Sequence, residues 1–175
     1  MPRPNRSNGN AAHAAISEPH AWAIQNELGR LLGNPLSGRG GPCSVVTTPG
    51  VIARVRSDAN LRISDLAVTC AAYREEEEAL VEPVLIVEIL SPCNQAETWS
   101  NVRATARLPS VREVLVVRGA TIGAHLLRRG ADGAWPERAE TLTVGVLRLD
   151  SIGFAVPLAA LYRSTRLAPR SGTAG

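Results

Sequence analysis

Two acids occupy apolar surroundings in this chain. Glu88 is the only break in the apolar run VLIVEIL (84–90), and Asp65 is the only acid in SDLAV. Burying an unpaired ionised carboxylate costs several kcal/mol, so each must be paired, exposed at a strand end, or bound to a metal. A salt bridge to one of the many arginines, or a strand end facing water, would account for Glu88 alone. Two strands that each carry one such acid can also bring both to the same sheet edge. Like charges that close need a cation, and hard oxygen ligands select Mg2+ or Mn2+. An ion held by two carboxylates, with positions left for water and phosphate, is the apparatus of metal-assisted phosphodiester hydrolysis.

The bulk numbers narrow the alternatives. With 175 residues, 45% hydrophobic and 20% charged, the chain fits one soluble globular domain. No apolar run reaches the roughly 20 residues of a membrane helix, and the start lacks a signal-like apolar stretch, which together point to the cytoplasm. The net charge of +3 permits DNA without arguing for it. All 19 basic residues are arginine, so any mechanism that needs a lysine ammonium is excluded. Aromatic residues at 3% are too few for a base-stacking platform. Cys43, Cys70 and Cys93 are odd in number, widely spaced and without a CxxC pair. They are expected as reduced thiols, not as a zinc site.

The elements that must position the acids follow from pattern. Residues 1–16 and 164–175 are small and polar and are expected as disordered tails around a single domain, 17–163. Ser17, Glu18 and Pro19 suit a helix start, and Trp22, Ile24, Leu28, Leu31 and Leu32 form its apolar stripe. Gly33-Asn34-Pro35 is the expected stop. Strand-like runs follow: CSVVTT, VIARVR after a Pro49-Gly50 turn, and LRISDLAVTC, which carries Asp65. VLIVEIL reads as a central strand buried on both faces. A helix is expected from Glu97 to Leu108, then strands REVLVV, IGAHLLRR and LTVGVLRL, and a short helix near Pro157. The order predicts an α/β (α+β) fold, a mixed β-sheet flanked by helices.

The ordered set of segments resembles the PD-(D/E)XK nuclease superfamily, and within it the Uma-two family, described as restriction endonucleases. HAWAIQNELGRLLGN, GPCSV, LRISDLAVTC, EPVLIVEILSP, LPSVREVLVV, the DGAW turn and SIGFAVPLAALY carry the likeness over roughly residues 18–162. The resemblance implies a restriction-endonuclease-like fold, DNA as substrate, and a homodimer. It also implies Mg2+ (or Mn2+) held by Asp65, Glu88 and the backbone carbonyl of Ile89. His20 stands at the position of a polar residue on the first helix that faces the site, with Glu27 a second candidate.

Two departures matter. Ser64 replaces the proline before the aspartate, a change to strand geometry alone. The family's D-x-x-x-K pattern on the second helix falls on Glu97 and Asn101, so asparagine stands where the lysine is expected. Glu97 and Asn101 are four apart and share a helix face, whereas Arg103 points elsewhere. Arginine also has no proton to exchange near neutral pH. Asn101 can orient water but supplies no charge.

Other residues have plainer readings. Arg54, Arg56 and Arg62 could grip phosphates but read first as solvated, and Glu75–Glu78 reads as a solvated loop. Cys93 is expected as a buried thiol, and Ser91 and His125 show no triad context. Two functions stand: a Mg-dependent endonuclease with a degenerate, lysine-less site, or a nuclease-fold protein repurposed to bind a partner or small-molecule ligand or to run another reaction in the old cleft.

Overall fold

The structure, a computed structural model, describes residues 11–55, 58–72 and 79–169. Glu75–Glu78 and Arg56 lie outside the described residues. Helix α1 (Ala11–Gly38) begins inside the stretch expected as a tail and runs through the expected stop. Pro35 removes one helical hydrogen bond, but it sits in the last turn, and the next residue, Leu36, is drawn into the core. The helix ends where Gly40 takes a left-handed φ of 62°. Ile24, Leu28, Leu32 and Leu36 recur every four residues, which aligns them along one buried stripe. Trp22 lies off that stripe and is exposed, contrary to the expected pattern.

Strands β1 (Ser44–Thr47), β2 (Gly50–Val55), β3 (Asp58–Ile63), β4 (Leu66–Thr69) and β5 (Pro83–Leu90) precede helix α2 (Gln95–Thr105). After it come β6 (Glu113–Arg118), β7 (Ala124–Arg128), β8 (Glu140–Leu142), β9 (Val146–Leu149) and β10 (Phe154–Pro157). A 3-10 turn at Leu158–Tyr162 stands where the closing helix was expected. Residues 164–169, expected as tail, continue in turns, and Leu167 packs against the core.

The main sheet runs β1-β4-β5-β6-β7-β8. Among the described residues only β5 and β6 pair in parallel, joined by α2 as the crossover, and the other ladders are antiparallel. This is a mixed, mostly antiparallel sheet with helices on it, the α+β architecture that the sequence predicts. One face packs against α1 through Leu85, Val87 and Ile89 of β5. The other packs under α2 through Ile86, Val114, Val116 and Val102. With both faces covered, β5 has no solvated side, which is why VLIVEIL lacks alternation. The segment LRISDLAVTC does not form one strand. It breaks at Ser64-Asp65, so that β3 pairs only with β2 in a separate hairpin while β4 enters the main sheet.

Cys43 and Cys70 form a disulfide across the end of the β1–β4 ladder. This corrects the expectation of three reduced thiols. The pairing register brings Ser44 opposite Thr69, and one step further brings the two cysteines together, a proximity that linear spacing does not reveal. Cys93 is free and exposed, not buried.

Candidate active site

Asp65 occupies the break before β4, one residue ahead of the Leu66–Val87 pair. Continuing that antiparallel register by one step sets Asp65 opposite Glu88, so both side chains belong to the α2 face of the sheet. Three hydrogen bonds hold the break. Asp65 Oδ2 accepts the Ile89 amide at 2.7 Å, and the Asp65 carbonyl accepts the Thr48 amide at 2.8 Å and Gln25 Nε2 at 2.7 Å. Gln25 also donates to Thr48 Oγ1 at 3.3 Å. Thr48 has a positive φ of 53°, a conformation unfavourable for a β-branched residue, and these bonds fix it there.

Glu88 is 4% exposed, and its Oε1 has no hydrogen-bond partner. Burial pushes its carboxyl up to about 8, the nearby charges of Asp65 and Glu97 push the same way, and only the Ser64 hydroxyl pulls it down. Burial likewise raises Asp65, tempered by the Ile89 amide. No arginine offsets either acid, so the salt bridge that would account for a lone Glu88 is not formed among the described residues. The orphaned oxygen and the missing counter-charge fit a divalent cation. Among the described residues no cluster of three or more His, Cys, Asp or Glu side chains converges on one point. Two carboxylates and a carbonyl would leave positions for water, as Mg2+ prefers.

The segment after β5 is tied down by Asn94, at the N-cap of α2. Its Oδ1 accepts the Ser91 amide at 2.8 Å, and its Nδ2 donates to the Ile89 carbonyl at 3.4 Å. That carbonyl keeps a lone pair for a further partner. On α2, Thr98 and Val102 are buried against the sheet. Glu97 is exposed but near enough to raise Glu88, and Asn101 is half-buried on the same flank. Arg103 is exposed.

Of the two candidates on α1, His20 makes no hydrogen bond among the described residues. Glu27 is buried in an ion pair with Arg30 and Arg163, which lowers its pKa and ties the helix to the C-terminal turn. Gln25 is the α1 residue that reaches Asp65. Sequence reasoning missed it because its glutamine lies among ordinary surface positions of the helix. Asn94 was also missed, although an asparagine ahead of a helix is a recognisable cap signal.

A family model described as "Uma2: Putative restriction endonuclease" matches residues 2–159. The uncharacterized protein slr1290 of Synechocystis sp. is 28% identical over 142 residues, covering 80% of this chain and 73% of its own. The crystal structure of a putative nuclease belonging to DUF820 from Anabaena variabilis aligns with a TM-score of 0.64 at 15% identity. It covers 82% of this chain and 80% of that one, a likeness of fold. With the match spanning nearly the whole domain, from the opening helix through both acid-bearing segments to the last strand, the chain belongs to the Uma2 family.

Proposed function

We propose that this protein is a Mg2+- or Mn2+-dependent endonuclease of reduced competence that acts on DNA phosphodiesters. The observation that carries the reading is the Asp65–Glu88 pair, placed opposite each other where the β4–β5 register runs on into the break before β4, with a buried, unpartnered Glu88 oxygen and no arginine paired with either acid among the described residues. Asp65, Glu88 and the Ile89 carbonyl would hold the ion. When bound, a divalent ion supplies Lewis acidity toward a phosphate and eases deprotonation of an attacking water.

The chain's own residues do the rest. The Ile89 amide orients the Asp65 carboxylate, Gln25 and Thr48 fix its backbone, and Asn94 steadies the loop that follows Glu88. Asn101 stands on the flank of α2 where the family resemblance expects a lysine, and there it orients water by hydrogen bonding. Losing a charged donor of that kind costs about 3–4 kcal/mol of transition-state stabilisation, a rate loss on the order of 10²–10³.

That substitution favours a second reading, a nuclease-fold protein that keeps the metal and has turned the cleft to a partner or small molecule. Incubation with supercoiled plasmid and Mg2+ or Mn2+, beside Asp65→Ala and Glu88→Ala, separates the two. Slow nicking lost in both variants is expected. Carboxylate-dependent Mn2+ binding without cleavage at any metal or salt concentration would overturn the nuclease reading and leave the second. We also take the active form to be a homodimer, which sedimentation would test, and its location to be the cytoplasm, where disulfides are rare; fractionation with thiol trapping tests both that location and the pairing of Cys43 with Cys70 there.

A further inference from the structure

The same row of the sheet that carries Asp65 and Glu88 continues across it. Glu88 pairs with Val116, Val116 with His125, and His125 with Thr141. Residues directly opposite in a ladder share a face, so His125 lies on the α2 side, where its ring meets Trp99 at 5.8 Å. Two pairs further along, and so on the same face, Arg118 stands opposite Leu90 at the carboxyl end of β6. Strand spacing and rise put its Cα about 8 Å from that of Glu88.

Arg118 is held differently from the five other arginines whose side chains are bonded among the described residues. Arg30, Arg128 and Arg163 pair with acids, and Arg39 and Arg129 bind backbone carbonyls. Arg118 Nε instead donates to His125 Nε2 at 3.4 Å. A guanidinium N–H only donates, so that imidazole nitrogen accepts. The proton is then on Nδ1, which faces Thr141 Oγ1 at 3.1 Å. A neutral ring thus positions the guanidinium without neutralising it. Among the described residues neither terminal amino group has a hydrogen-bond partner, and no carboxylate pairs with Arg118.

The surrounding backbone is built for this placement. A Cβ at Gly123 would come within 3.2 Å of Arg118 Cδ and 3.4 Å of its Nη1, so the side chain lies over a glycine. The buried Tyr162 hydroxyl accepts the Gly123 amide at 3.1 Å and lies 2.8 Å from both the Arg118 and Gly123 carbonyls, pinning the turn from below.

We propose that Arg118, seated on His125 and Gly123 at the carboxyl end of β6, is a phosphate-binding residue that grips a backbone phosphate beside the carboxylate pair. The planar fork of donors left open suits a phosphate's oxygens. The assignment of that phosphate to DNA rests on the nuclease reading above; the anion site itself does not.

Two measurements test it. In the first, inorganic phosphate is titrated into the protein against chloride of equal ionic strength, with the His125 side-chain resonances followed by heteronuclear NMR. A saturating shift in wild type that is absent in Arg118→Gln is expected. No shift in wild type, which requires no variant to fold, overturns the proposal, as does an equal shift in the variant. In the second, duplex binding is measured against salt in EDTA. Arg118→Gln lowers the slope of log K against log salt by about 0.9, the value for one phosphate contact. Arg103→Gln, which removes the same charge from the exposed side of α2, leaves the slope unchanged; an equal fall in both variants, or in neither, overturns the proposal. An Arg118-dependent phosphate shift without cleavage under any metal keeps this site and removes the nuclease reading. Cleavage without that shift does the reverse.

Discussion

The Ile89 amide donates to Asp65 Oδ2 at 2.7 Å, where a continuing ladder would engage a backbone carbonyl. A side chain thus replaces a sheet hydrogen bond at the point where β3 leaves the main sheet and β4 enters it. Asp65 is held against the strand that carries Glu88, and its own carbonyl is released to Gln25 and Thr48. The chain break and the candidate metal site are one feature.

Stability should fall as pH rises through the Glu88 titration. Its folded carboxyl is raised to about 8 from 4.5, so the folded state binds the extra proton between those values and loses that advantage on ionisation. Linkage puts the upper limit near 5 kcal/mol. Glu88→Gln removes the penalty. Without divalent ions it should unfold at higher urea than wild type at pH 9 and show little difference at pH 5. A wild-type midpoint that does not fall between pH 5 and 9 would contradict this. The same variant should lose Mn2+ binding in calorimetry, separating stability from function.

Replacing Asn101 by lysine should restore the charge that the site lacks. Plasmid nicking is expected to rise on the order of 10²-fold, with the Asp65→Ala background remaining inactive. An unchanged rate would show that the flank of α2 bearing Asn101 does not face the reacting phosphate.

Gln25→Ala removes the side-chain donor to the Asp65 carbonyl. Loss of one hydrogen bond to a part-buried acceptor costs about 1–2 kcal/mol, measurable by urea unfolding. Mn2+ affinity should fall as well, because the Asp65 backbone is no longer fixed. A Glu27→Gln comparison should reduce stability by weakening its ion pairs while leaving Mn2+ affinity unchanged.

Reduction of the Cys43–Cys70 disulfide releases a closed loop with a sequence separation of 27 that contains β2, β3 and Asp65. Chain entropy assigns such a closure about 3–4 kcal/mol. Thermal unfolding with and without reductant, beside Cys43→Ser, should show the same lowered midpoint for the reduced protein and the variant. Equal midpoints with and without reductant would mean that the crosslink adds nothing.

The sequence by itself determined the central strand and the two acids, because each is a local signal, while the asparagine at position 101 stood out only through the family resemblance. An unbroken apolar run means burial on both faces, and a lone carboxylate within one stands out whatever surrounds it. It also specified that a helix stands between β5 and β6, whereas the parallel pairing that makes this helix a crossover came from the tertiary structure. Other features depended on register and packing. Gln25 looks like any surface glutamine until α1 docks against the break before β4. Pro35 reads as a helix stop until Leu36 is drawn into the core. Cys43 and Cys70 are distant in sequence and adjacent only through the β1–β4 ladder. Arg118 and His125 carry no motif and come to the same sheet face as Glu88 only through the pairings of β5, β6 and β7. Periodicity reports which face a residue takes, but only the tertiary ladder decides which residues on that face stand side by side.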